Sequence, residues 1–341
     1  MWTEKQLNDR LTTPSPELIR DMEKTDGDIL ILGAGGKMGP SLAVMARRAA
    51  DAADAEGGGR KIFAVSRFSD PVAAKELSDH GIELIKGDLL ENDFLKSLPD
   101  VPNVVYMAGR KFGTAGQEYL SWAMNCWLPV HVAEKYRDSR IVVFSSGNIY
   151  PMMPVYSGGA SEDVPPSPVG DYGMSTLGRE RMFEYAAQRY GTNVLLFRLN
   201  YSVDLRYGVL FDIAQKIMDG RPVSVTTPCF NCIWQGDAVG IALRSFQMAG
   251  HPAVKLNVTG PETVSVRYAA TELGRLLGKP VTWEGEPSGR ALLSNSGLCV
   301  SSFGYPSVSV SEMIRWQAEW LLGGGRTLDK PTHFEEREGK Y

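Results

Sequence analysis

Residues Asp28 to Gly39 read Asp-Ile-Leu-Ile-Leu-Gly-Ala-Gly-Gly-Lys-Met-Gly, a short apolar run followed by Gly33, Gly36 and Gly39. Few architectures accommodate an apolar run that stops at spaced glycines and continues into a helical pattern. Gly33 lets the chain turn sharply out of a buried strand. Gly36 lets backbone N–H groups approach a ligand closely, and Gly39 lets the next helix pack hard against the sheet. The helix N-terminus behind them offers unpaired N–H groups and the positive end of its dipole, which suits a phosphate. In a strand–turn–helix unit near the start of a domain, the pattern points to dinucleotide binding.

The first half of the chain repeats that unit. Apolar stretches at 28–32, 61–65, 82–86, 104–107 and 141–144 are interleaved with helical patterns at 37–50, 72–80 and 122–136. The strands lack polar alternation, so both faces of the sheet are covered, and the expected fold is α/β with a doubly wound parallel sheet. A loop rich in Pro, Gly and Ser fills 151–170, ahead of a helix over 172–190 and a strand over 193–199. Loops of that length are usually functional. Beyond 200 the pattern is less regular, with helices expected at 208–218, 237–248, 266–277 and 311–322 and strands at 223–225 and 255–258. The expected organisation is an N-terminal arm over 1–26, in which Thr13-Pro14-Ser15-Pro16-Glu17 starts one short helix, and a dinucleotide-binding domain over 27–200 rejoined by 231–258. A smaller substrate lobe takes 201–230 and 259–322, and a polar, extended tail takes 323–341.

Composition excludes several classes. The 341 residues carry 36 Lys+Arg against 40 Asp+Glu, a net charge of -4, without the basic footprint of a nucleic-acid binder. No apolar run approaches the roughly 18–20 residues that cross a bilayer. Glu4, Lys5, Asp9 and Arg10 occupy the place of a signal peptide's apolar stretch, so a cytoplasmic protein with neither nucleic-acid nor membrane partners is expected. Four cysteines do not build a disulfide scaffold. Cys229-Phe230-Asn231-Cys232 has C-x-x-C spacing, but neither Cys126 and Cys299 nor the four histidines supply a second ligand pair, so no metal is expected.

The end of the second strand selects the cofactor, since a carboxylate there would hold an adenosine ribose. This chain has Ala64-Val65-Ser66-Arg67-Phe68 instead. The planar fork of Arg67 suits a 2′-phosphate and Lys37 adds a second positive charge, which favours NADP(H) over NAD(H); alternatively Arg67 is a solvated surface charge. Asp88, in Lys86-Gly87-Asp88-Leu89, stands where it would either hold an adenine amino group or cap the next helix. Met38, Leu89 and Ala108 join these residues and the glycine turn as candidate cofactor contacts.

Two further motifs follow: Phe144-Ser145-Ser146-Gly147-Asn148-Ile149-Tyr150, and Asp171-Tyr172-Gly173-Met174-Ser175-Thr176 with Arg179-Glu180-Arg181 behind it. With these, the chain from about 28 to 322 resembles the extended short-chain dehydrogenase/reductase family, the NAD(P)-dependent sugar epimerases and dehydratases. The resemblance implies a Rossmann-type domain, a C-terminal substrate lobe, and a tyrosine that moves a proton while nicotinamide moves a hydride. It assigns Tyr172 as catalytic acid/base and Ser146 as the residue that hydrogen-bonds the reacting oxygen. It also assigns a lysine one turn after the tyrosine, stabilising phenolate and holding the nicotinamide ribose. Here that position is Thr176. A free phenol ionises near 10, and a threonine offers a ribose contact without charge. No lysine lies between Lys135 and Lys216. Either Arg179, one turn further on the same face, partly substitutes, or bound oxidised nicotinamide supplies the charge.

Three readings therefore stand side by side: an enzyme with altered acid/base machinery, an oxidoreductase of weak or unusual chemistry such as keto-sugar isomerisation, and a cofactor-binding regulator without turnover. The substrate implied is a sugar or nucleotide sugar, met by the 151–170 loop, Asn148 and the stretch that starts at Asn200. Arg206 and Tyr207 either bind a hydroxylated or anionic ligand or form a surface pair. Trp234 either stacks on a sugar or fills the core. Helices 122–136 and 172–190 resemble the pair through which this family dimerises, so a homodimer is expected by analogy.

Overall fold

Apolar runs of four to seven residues become seven strands: β1 (Ile29–Leu32), β2 (Ile62–Ser66), β3 (Glu83–Lys86), β4 (Asn103–Tyr106), β5 (Arg140–Ser146), β6 (Asn193–Leu199) and β7 (Val254–Val258). In the computed structural model, which describes residues 2–54, 59–111, 116–328, 330 and 332–340, they form one sheet ordered β7-β6-β5-β4-β1-β2-β3. Every pairing in it is parallel. Successive side chains leave a strand on opposite faces, and β1 divides accordingly. Ile29 and Ile31 enter one buried cluster with Leu42, Val142 and Phe197, while Leu30 and Leu32 enter another with Val143, Phe183 and Leu196. Both faces are thus covered, as the absence of polar alternation requires.

Where the sequence reading gives one short helix ahead of the sheet, the structure has two, α1 (Glu4–Thr12) and α2 (Pro16–Glu23). Thr3 and Gln6 close a capping box on α1, and Ser15 accepts the Leu18 N–H at the start of α2. Their apolar faces are fully used: Leu18 and Met22 join the core around β1, and Leu7 and Leu11 join a separate core in the second half of the chain. The i, i+4 spacing of those four residues was the signal for both helices.

The crossovers carry α3 (Gly39–Ala53), α4 (Pro71–Asp79) and α5 (Asn92–Ser97). Next, α6 (Glu118–Trp122) passes through a π-helical turn, Ala123–Trp127, into α7 (Leu128–Lys135), and α8 (Gly170–Tyr190) follows. The remaining helices are α9 (Val209–Met218), α10 (Gln235–Arg244), α11 (Val266–Leu277), α12 (Gly297–Phe303) and α13 (Val310–Leu322). The second-half core is built from α9, α11 and α13, with Phe230, Trp234 and Trp320. The last residues lie against it: Phe334 is buried there, and Thr332 donates to Asp212. None of the described helices is long and apolar enough to cross a membrane.

Candidate active site

The strand order reverses between β1 and β4, and an open α/β sheet takes its ligands in the crevice outside the carboxyl ends of such a pair. The glycine turn leaves β1 there. Gly33 has φ +93°, a conformation side chains resist, and a Cβ on it would stand 2.6 Å from the Ala108 nitrogen. Gly39 opens α3 directly against the Ala34 carbonyl, with no room for a Cβ. At its N-cap, Met38, no side chain bonds the first turn of α3, which leaves that helix end suited to an anion.

Lys37 is turned away from Arg67. Its ammonium stands 4.6 Å from the centre of the Tyr207 ring and donates to the Lys330 carbonyl at 3.1 Å, whereas Arg67 is exposed after β2. The expected positive pair is not formed. Burial holds Lys37 down to about 8, against the opposing pull of Asp212. Asp88 accepts the Leu90 N–H at 3.0 Å and closes its own turn over buried Leu89.

β5 ends at Ser146, whose Oγ donates to Asn148 Oδ1 at 2.9 Å and accepts the Asn148 N–H at 3.2 Å. The two residues hold each other. The start of α8 abuts this turn, since a Cβ on Gly173 would stand 2.9 Å from the Asn148 carbonyl oxygen. Tyr172 is therefore delivered beside the Ser146 turn. One helical turn on, Thr176 is fully buried, and its hydroxyl has no hydrogen-bond partner. An unpaired buried hydroxyl costs roughly 1–3 kcal/mol.

Arg179 does not serve Tyr172. Its guanidinium is buried, donates to the Phe144 carbonyl at 2.7 Å and to Asn125 Oδ1 at 2.5 Å, and lies 5.6 Å from the centre of the Tyr106 ring. A cation faces the Tyr172 ring from the loop after β4: Lys111, half-buried, has its Nζ 5.3 Å from the ring centre. Burial lowers its proton affinity to about 7; Lys37 pushes the same way and Asp212 opposes. Reasoning along the chain missed Lys111 because it searched around Thr176. The available signal was position: Lys111 follows Ala108-Gly109 just beyond β4, at the reversal of strand order.

The other proposed ligand contacts are engaged within the fold. Arg206 pairs with Asp204 at 2.6 Å and reaches Glu4 and Asn8 of α1, because a buried guanidinium must be neutralised. Trp234 is buried against Trp316, with ring centres 5.4 Å apart, so it fills the core. Asn200 donates to Asn231 Oδ1 at 2.8 Å, and Asn231 donates to the Ser294 carbonyl at 2.5 Å, a chain that ties loops together. Cys229 and Cys232 are free thiols, and no group of metal-ligating side chains occurs among the described residues.

A parallel sheet with a glycine turn at its switch point and a serine and a tyrosine beside it defines a Rossmann-type dinucleotide-binding protein of enzymatic design. The model of the NAD dependent epimerase/dehydratase family matches residues 29–227, and the chain belongs to that family. Its structure is similar to that of MoeE5 in complex with UDP-glucose and NAD, at 22% identity and a TM-score of 0.67 over 87% of this chain and 99% of that one. It is also similar to UDP-glucuronic acid 4-epimerase from Bacillus cereus, at 16% identity and a TM-score of 0.67 over 87% and 99% of the two chains. A third similar structure is dTDP-glucose 4,6-dehydratase from Bacillus anthracis, at 16% identity and a TM-score of 0.71 over 87% and 97%. At these identities the likeness is one of fold. No curated protein matches the chain. The residues present fit a nicotinamide dinucleotide: the Gly33–Ala108 cradle admits close backbone approach, and the buried Thr176 hydroxyl awaits a partner.

Proposed function

We propose that this protein interconverts a sugar or nucleotide sugar at a carbon bearing oxygen, with Tyr172 moving the proton and Ser146 holding the reacting oxygen. The observation that carries the reading is Lys111, which faces Tyr172 and is also sensitive to Lys37 of the glycine turn, linking the proposed proton site to the proposed cofactor site. Bound nicotinamide supplies the hydride acceptor and donor. Gly33, Gly36, Met38, Gly39 and Ala108 would hold the dinucleotide, with Thr176 on its ribose. The reading as a regulator without turnover rests on the missing charge at position 176; an amine at Tyr172 removes that premise.

The finer assignments follow the same support. A preference for NADP(H) rests on Arg67 alone once Lys37 is turned to Tyr207, and the similar structures named above are NAD complexes. We therefore favour NAD(H). A cavity of about 470 Å³ lined by Tyr207 and Asp212 and by Lys330 and Phe334 of the C-terminal segment, next to the Lys37 contact with Tyr207, is of a size for a small ligand and supports a substrate-facing part over 201–230, to which we assign 259–322 by analogy. Dinucleotide binding then falls to 27–200 with 231–258. Exposed Trp122 of α6, Trp127 of the π-helical turn and Val130 of α7, with Met174 and Tyr185 on α8, support a homodimer through those helices. Light scattering tests it.

The test of function is substitution of Tyr172. Tyr172→Phe abolishes turnover of the nucleotide sugar and leaves NAD+ affinity within a few-fold by calorimetry. Wild-type activity in that variant would withdraw the assignment.

A further inference from the structure

Resting on the reading of the crevice as a dinucleotide site, we propose that Lys330 and residues 332–340 form a gate, a strap laid across the crevice that lifts to let the dinucleotide in or out. The strap touches both ends of the proposed site. At one end, Lys37 of the glycine turn donates to the Lys330 carbonyl at 3.1 Å. At the other, Gly339 lies backbone against backbone on Val169 and Gly170, where α8 begins two residues before Tyr172. Gly339 has φ +77°, and a Cβ on it would collide with the Val169 carbonyl, so this docking requires glycine. A chain tied both to the turn suited to a pyrophosphate and to the start of the helix that carries Tyr172 spans the part of the crevice where the reacting end of a dinucleotide would lie.

Between those ends the strap follows the second half of the chain. Thr332 donates its N–H to Asp212 of α9 at 2.8 Å and its hydroxyl to the same carboxylate oxygen. Asp212 looks toward the crevice, since its charge acts on both Lys37 and Lys111. Phe334 is 3% exposed within the second-half core. Beyond it, Lys216 meets Glu335 at 2.6 Å, and Arg337 donates to the Arg290 carbonyl at 2.9 Å. Burial of a whole aromatic side chain outweighs hydrogen bonds and ion pairs that water can replace. Phe334 is therefore the pin, and the stretches on either side of it are the parts that lift. A strap that closes alike over an empty and a filled crevice controls how fast a ligand enters and leaves, and has little effect on how tightly it binds.

The test is stopped-flow binding of NADH to the full chain, followed by nicotinamide fluorescence. Gly339→Val cannot seat on Gly170 and lies at the end of the chain, outside the buried clusters, so it leaves the fold intact. It is expected to raise the association and dissociation rates together by about 10-fold, with Kd within a few-fold. Phe334→Ala draws the pin and moves both rates the same way, with a urea titration to show that the variant is folded. Unchanged rates in Gly339→Val overturn the gate. A rise in the dissociation rate alone overturns it as well, because the strap would then be a set of contacts to the dinucleotide. A second readout needs no dinucleotide. Lys37 meets the strap at Lys330, so its acetylation by trace acetic anhydride, read by mass spectrometry, should run several-fold faster in Phe334→Ala than in wild type. If wild-type protein binds no NADH, the functional reading fails separately, while the Lys37 labelling still decides whether the strap covers the glycine turn: equal rates overturn the inference.

Discussion

Thr176 and Lys111 each carry a consequence that can be measured. Thr176 is buried with an unpaired hydroxyl, so Thr176→Val keeps the shape and removes a group the free protein cannot satisfy. Stability without cofactor should rise by about 1 kcal/mol in urea titrations, while NAD+ affinity falls several-fold. A loss of stability would mean the hydroxyl is already paired in the free protein. Lys111 carries a pH signature. Its folded-state proton affinity, near 7, lies below the unfolded lysine value near 10.4. Between those values the unfolded chain binds more protons, so this group makes stability rise with pH across the window. Lys111→Met should remove that share, so wild-type unfolding free energy should rise relative to the variant's from pH 7 to pH 10.

At the scale of elements, α8 matters because it aims Tyr172, and a buried polar network fixes it to the sheet. Glu180 of α8 pairs with Arg198 of β6 at 2.7 Å and accepts from Ser145 of β5 at 2.6 Å. Arg198 also donates to the Tyr150 hydroxyl, which donates to Asn257 of β7 at 2.9 Å. Removing one partner leaves a buried charge unpaired, so Glu180→Ala should cost about 3–5 kcal/mol, read from the urea midpoint; a change below 1 kcal/mol would show the network to be dispensable. Such networks are hard to read from sequence, since their members come from four segments. The strands and α8 were legible because apolar run length and motif spacing are local signals. The expected helix over 172–190 begins two residues late only because Gly170 and Asp171 look like loop. α1 was missed because Leu7 and Leu11 sit in a mostly polar stretch, and their partner core lies some 200 residues away in sequence.

For the whole molecule, the sheet's switch point gathers what the chain keeps far apart: Lys37 after β1, Lys111 after β4, Ser146 at the end of β5 and Tyr172 on α8. The glycine turn, Ser146 and Tyr172 were legible as motifs. Lys111 was not, because proximity across a crevice follows from topology and leaves no mark on local spacing. Conversely, Arg206 and Trp234 looked available in sequence and are absorbed by ion pairing and packing. Together these residues are proposed to convert a nucleotide sugar with a nicotinamide cofactor. The most direct measurement mixes purified protein with NAD+ or NADP+ and a panel of nucleotide sugars, following nicotinamide absorbance and the mass and stereochemistry of products. The prediction is a new product from at least one UDP- or dTDP-linked sugar, with NAD+ preferred and all conversion lost in Tyr172→Phe. Tight dinucleotide binding with no product across the panel would contradict it.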